Sequence, residues 1–146
     1  MHIEVDQSGK IEQLSQDTII ACSNNKQYCI KIQKKIKQSI YYNYKTKIKQ
    51  LKYKLFCIGV YYCIEYILSK CELIVIDDEY HGKNDLIKSI LFSYIRKKFV
   101  DFDEKMIRFS RISKNSNAHH VAIETFREEH KPNEVISEKQ IWGLLK

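Results

Sequence analysis

The segment Glu72-Leu-Ile-Val-Ile-Asp77 constrains the fold more than any other part of the chain. Its apolar residues run without polar alternation, and the acids at both ends bound a run too short for a helix. A strand of this kind belongs in the centre of a sheet covered on both faces, as in α/β proteins with parallel central strands.

The surrounding periodicities supply the rest of such a sheet. Ile3 and Val5 alternate with Glu4 and Asp6 in a first strand, His2–Gln7, closed by a Ser8-Gly9 turn. Thr18–Cys22 and Gln27–Ile32 read as the next two strands. They are joined by Ser23-Asn24-Asn25-Lys26, where Asn suits the positive φ of a tight hairpin. Residues 10–17 read as a loop or a further short strand. From Gln33 to Ser69 apolar residues recur every three or four positions, which predicts a long helical region broken near Thr46 or Gly59. Leu86–Phe99 is an amphipathic helix, Met106–Ser110 a fifth strand, and Asn117–His130 a helix that Pro132 forbids from continuing. Ser137 and Gln140 form a capping box for a last helix. The expected architecture is α/β: one domain over residues 1–146, with a mixed five-stranded sheet, three antiparallel strands leading into β-α-β-α units, flanked by helices.

Charge is distributed unevenly along this scheme. The net charge is +7, yet no Asp or Glu lies between Asp17 and Glu65, a gap that holds ten lysines. Lys34, Lys35, Lys37, Lys45, Lys47, Lys49 and Lys52 fall on the helical region and predict a phosphate-binding face, with Tyr41, Tyr42, Tyr44 and Tyr53 interleaved to stack on bases. A solvated face is the plainer reading of such a run, and a place in the core is the plainer reading of Tyr61, Tyr62 and Tyr66. The longest uncharged apolar run, Leu55 to Ile64, is far short of the roughly 20 residues a bilayer needs, and reads as a helix buried all round. With no apolar leader after Met1 and five cysteines outside any zinc spacing, the expectation is a cytoplasmic protein with reduced thiols and no membrane partner. A Cys22–Cys29 disulfide across the hairpin stays open.

Three polar clusters fall at the ends of predicted elements: Asp6 on the first strand, Asp77-Asp78-Glu79 after the fourth, and His119-His120 at a helix start. Ligands bind outside the carboxyl ends of parallel strands, so these positions are candidates for one site. If the first and fourth strands are neighbours, Asp6 and Asp77 crowd together, and a hard divalent cation relieves their repulsion.

Ile3-Glu-Val-Asp6-Gln-Ser8-Gly9, Ile74-Val-Ile-Asp77-Asp-Glu-Tyr80 and Asn115-Ser-Asn-Ala-His119-His-Val-Ala122 resemble, in that order, the first-strand, fourth-strand and final-helix motifs of the ribonuclease H-like superfamily. The resemblance extends to the order of elements. It implies phosphodiester hydrolysis with Asp6, Asp77 and His119 as catalytic residues, Mg²⁺ or Mn²⁺ as cofactor, and RNA, an RNA–DNA hybrid or branched DNA as partner. His119 stands where most of the superfamily has a carboxylate, as in its resolvase-like and Argonaute-like branches. One departure is plain: no acid lies near the start of the first helix, where ribonucleases H place a metal-binding Glu. Glu65, Asp78, Glu79, His120 and Glu124 are the further candidate ligands. Failing all of them, the resemblance implies a noncatalytic nucleic-acid-binding module with an incomplete metal site, or an interaction subunit of a ribonucleoprotein assembly.

Overall fold

Alternating and continuous apolar runs become one mixed sheet in the computed structural model, which describes residues 1–24 and 26–145. Its strands are β1 (His2–Ser8), β2 (Thr18–Ser23), β3 (Gln27–Ile32), β4 (Leu73–Asp77), β5 (Ile107–Ser110) and β6 (Glu134–Val135). They lie side by side in the order β5-β4-β1-β2-β3-β6. β2 is antiparallel to β1 and β3, whereas β1–β4, β4–β5 and β3–β6 are parallel pairs. The helices are α1 (Lys34–Tyr44), α2 (Leu51–Ile64), α3 (Asn84–Arg96), α4 (Asn117–Phe126) and α5 (Glu138–Leu145). No described helix is long and apolar enough to cross a membrane.

The period-2 pattern of the strands sorts residues between two unequal layers. Ile3, Val5, Ile20, Ile30, Ile32, Ile74, Ile76 and Ile107 face the main core, which α2, α3 and α5 cover. On the opposite face Ile19, Ala21 and Cys29 meet Val121, Ala122 and Phe126 of α4. α4 packs on β1, β2 and β3. β4 is therefore not covered on both faces as its apolar run implies: Ile74 and Ile76 are buried, whereas Leu73, Val75 and Asp77 are only half-buried. The face of β4 that α4 leaves open is the face that carries Asp77.

Within the lysine-rich region the break falls at residues 45–50, around Thr46, where Gln50 takes a left-handed φ of 59°. Gly59 does not break α2. A Cβ there would come within 2.4 Å of Ile20 Cδ1 and 3.2 Å of Ile32 Cδ1, so glycine allows the helix to lie directly on β2 and β3. α2 is buried nearly all round, as its composition requires.

Two further features differ from expectation, and a third closes an alternative that the sequence left open. α4 ends at Phe126 rather than His130, with Glu128 at a φ of 65°. The chain then returns to β3, Asn133 pairing with the backbone of Cys29, and adds β6, a two-residue sixth strand too short to show any periodicity. Cys22 and Cys29 lie on opposite faces of the sheet, Cys22 in the main core and Cys29 against α4, which excludes a disulfide between them; all five thiols are free and buried. In the hairpin between β2 and β3, Asn25 lies outside the described residues. The capping box of α5 forms in both directions, Ser137 N donating to Gln140 Oε1 at 2.9 Å and Gln140 N to Ser137 Oγ at 3.1 Å.

Candidate metal centre

Parallel pairing of β1 with β4 sets Ile3 beside Ile74 and Val5 beside Ile76. The next residue of each strand points to the other face, so Asp6 and Asp77 arrive together on the α4 side at the carboxyl ends of the strands. Two residues beyond Asp77 the chain supplies Glu79. Carboxylate oxygens of Asp6, Asp77 and Glu79 all lie within 4.8 Å of one another. They lie in a cleft of about 690 Å³ that Gln7, Lys10, Asp78, Arg111, Lys114 and His119 also line.

Each carboxylate is held by a defined partner. Asp6 is buried; its Oδ1 accepts from Gln7 N at 2.9 Å and its Oδ2 lies 3.0 Å from His119 Nδ1. His119 reaches it because Ser116 caps α4, its Oγ accepting from His119 N, which places the imidazole in the first turn over β1. Asp77 Oδ1 accepts from Ile112 N at 2.8 Å, tying the loop after β5 to the end of β4. Glu79 Oε2 accepts from Gln7 Nε2 at 2.6 Å; that amide also donates to the Tyr80 hydroxyl, which donates to Glu12 Oε1.

Crowding shows in the acidities. Burial, followed by the charges of Asp6 and Asp77, pushes the Glu79 carboxyl up to about 8, even though its bond to Gln7 opposes the rise. Asp6 is also raised, by burial first and by Asp77 as well, while the His119 hydrogen bond pulls it back. Three oxygen donors this close form a group able to hold a hard divalent cation. Gln7 Oε1 and Asp78 Oδ1, both buried beside the cluster, have no hydrogen-bond partner. The residues present therefore fit such an ion.

The remaining candidate ligands lie elsewhere. Glu65 opens a 3-10 turn, Glu65–Lys70, that feeds the amino end of β4, so it stands at the wrong end of the sheet and pairs with Lys98 at 4.0 Å. Glu124, further along α4, pairs with His130 Nε2 at 2.9 Å. His120 is exposed beside His119 and is not among the residues lining the cleft. Asp78 lines the cleft without joining the three-carboxylate group, its backbone N donating to Ser110 O.

The lysine face divides. Lys34, Lys35, Lys45, Lys47 and Lys49 are exposed. Lys52 is half-buried, its ammonium 4.8 Å from the Tyr53 ring centroid and 5.4 Å from that of Tyr80, which brings the break between α1 and α2 up to the Tyr80 side of the acidic cluster. Lys37 is corrected outright. It is fully buried, donating to the carbonyls of Lys10, Ile11 and Gln13 and to Thr18 Oγ1, and it cannot reach a phosphate. Tyr61 is core and Tyr62 donates to Gln140 O, so neither is a base platform, whereas Tyr66 is exposed beside Tyr28 rather than core.

Sequence reasoning missed Gln7, Glu12, Lys10, Arg111 and Lys114. The last two follow the fifth strand directly, and the rule that ligands gather beyond carboxyl ends of strands was signal enough to mark them. Compared with protein-family models, with curated proteins and with solved structures, the chain matches none.

Proposed function

We propose that this protein is a metal-dependent nuclease of ribonuclease H-like type, hydrolysing phosphodiester bonds in RNA, an RNA–DNA hybrid or structured DNA. The observation that carries the reading is the gathering of Asp6, Asp77 and Glu79 within 4.8 Å at the carboxyl ends of adjacent parallel strands, with His119 against Asp6. The element order supports it: three antiparallel strands, then helix, strand, helix, strand, helix, with the first helix broken in two.

Asp6, Asp77 and Glu79 would hold Mg²⁺ or Mn²⁺, which supplies charge neutralisation at the phosphate and an acidified water. Glu79 takes up the carboxylate role for which the first helix offers no residue. Asp6 fixes the His119 ring through Nδ1, leaving Nε2 to accept or return a proton at the reacting oxygen. Gln7 holds Glu79 from behind and is itself bonded to the Tyr80 hydroxyl, with Glu12 as the last acceptor of that chain. The exposed lysines around the α1–α2 break contribute sequence-independent attraction for the backbone of the substrate.

A noncatalytic nucleic-acid-binding module is the second reading, favoured by the placement of Glu65 at the far end of the sheet. Incubation of the purified protein with labelled single-stranded RNA, RNA–DNA hybrid and junction substrates in Mg²⁺ or Mn²⁺ decides between them. The nuclease reading requires cleavage that disappears in Asp77→Asn and Glu79→Gln. Cleavage indifferent to both substitutions, or none on any substrate, overturns it.

A further inference from the structure

We infer that Lys10 on one flank of the acidic cluster and Arg111 with Lys114 on the other form a two-sided phosphate clamp, so that the enzyme cuts within a polynucleotide strand rather than from its end. This rests on the nuclease reading above and names the form of substrate that the same site accepts.

The sheet order places the clamp. β4, ending in Asp77, lies between β1 and β5. Lys10 belongs to the loop that leaves β1, and Arg111 and Lys114 to the loop that leaves β5, both from the same edge of the sheet. β1 and β5 are two inter-strand spacings apart, about 10 Å. The loops that carry these cations therefore flank the end of β4 on either side, across the strand order. All three side chains are exposed, all three line the cleft, and none forms an ion pair with a described residue, although acids lie close by.

Both loops are anchored to groups that also build the cluster's surroundings. Gly9, at a φ of +72°, turns the chain sharply after β1. The carbonyl of Lys10 then accepts from the buried Lys37 ammonium, so the backbone is held while the side chain stays free. Across the cleft, Ile112, between Arg111 and Lys114, is buried and donates its N–H to Asp77 Oδ1. Turn bonds from Ser116 N to Ser113 O and from Asn115 N to Ser113 Oγ hold the rest of that loop.

An acidic cluster repels the phosphates of a polyanion, and a bound divalent cation offsets this only at the scissile group. The neighbouring phosphates need cations of their own, and the structure provides them on both sides. A strand end would leave one flank without a phosphate to hold.

The test uses a circular single-stranded polynucleotide, a linear one of the same sequence, and bis(p-nitrophenyl) phosphate, which has no flanking phosphates. Cleavage of the circle is expected. Lys10→Gln, Arg111→Gln and Lys114→Gln should each lower kcat/KM for the polynucleotide, relative to that for the small diester, on the order of tenfold. Each should also flatten the log–log salt dependence of polynucleotide binding by roughly 0.7–0.9. A circle left intact while the linear form shortens from one end overturns the proposal, as does an unchanged ratio with an unchanged salt slope in all three variants. Should the wild type hydrolyse neither polymer nor diester, the nuclease reading fails and the internal-cutting claim with it. Fluorescence anisotropy of a labelled oligonucleotide in Mg²⁺ then still decides the clamp: weakened binding in the variants supports it, and equal binding rejects it.

Discussion

Asp6 and His119, 113 positions apart in sequence, meet at 3.0 Å because β1 and the first turn of α4 converge at the carboxyl end of the sheet. The contact joins the most deeply buried acid of the cluster to the one imidazole among the residues lining the cleft. If His119 carries the proton, His119→Ala lowers the single-turnover cleavage rate by about 10²–10⁴ while substrate affinity changes little. Rapid-quench assays beside equilibrium binding check this. A loss below threefold would assign the imidazole a purely structural part.

If the carboxylate cluster holds an ion as proposed, its occupancy is measurable without any substrate. At a free Mn²⁺ or Mg²⁺ concentration about 100 times the dissociation constant, binding adds about 2.7 kcal/mol to stability. That raises the melting temperature of a chain this size by roughly 5–10 °C. EDTA reverses the shift, and Glu79→Gln or Asp77→Asn removes it. Differential scanning calorimetry with and without the ion reads it directly. Equal shifts in wild type and both variants would place the ion elsewhere.

Lys37 makes alkaline stability measurable through one side chain. Burial lowers its pKa from 10.5 to about 8, against the nearby charges of Asp17 and Glu12, which favour the ammonium. Below pH 8 the lysine is protonated in both folded and unfolded chains. Between about 8 and 10.5 the unfolded chain binds a proton that the folded chain has released, so this contribution to stability rises with pH. Lys37→Met abolishes the rise, which amounts to at most about 3 kcal/mol. It also leaves the carbonyls of Lys10, Ile11 and Gln13 without their donor, costing about 1–3 kcal/mol at pH 7. Urea unfolding of both proteins at pH 7, 8, 9 and 10 tests the sign. A gap between the two that narrows with pH contradicts the assignment.

Gly9 tolerates no side chain. A Cβ there would lie 2.2 Å from the Asp17 carbonyl oxygen and 2.5 Å from Phe126 Cε1, on a backbone already at positive φ. Gly9→Ala should cost more than about 2 kcal/mol, from the left-handed conformation together with a clash against main chain. Chemical denaturation measures it, with Gly82→Ala as control: Gly82 also has positive φ, but nothing lies within 4 Å of its Cβ position. Equal losses at the two positions would show that conformation alone accounts for the effect.

Much of the frame was legible beforehand. Apolar alternation in Ile3 and Val5, the continuous run from Leu73 to Ile76 and the Ser137–Gln140 pair located β1, β4 and the start of α5 because each is a local signal whose period or spacing matches one backbone geometry. The same local reading put Asp6 and Asp77 at strand ends. It could not select Glu79 over Glu65, since that choice depends on which end of β4 the cluster occupies relative to the turn that feeds it. Nor could it find Lys37 buried, because a lysine within a basic helix reads as solvent-facing until another loop wraps it in carbonyls. β6 was hidden by its length, and the cations of the β1 and β5 loops by their lack of any period. Sequence by itself determined the first five strands, the helical regions and most of their apolar faces, since those follow from 2.0- and 3.6-residue repeats. Tertiary structure alone decided that β1 lies beside β4, and with that which acids, imidazole and cations share one cleft, because strand neighbours are chosen by helical crossovers that bring distant residues together and leave no periodic mark on the chain.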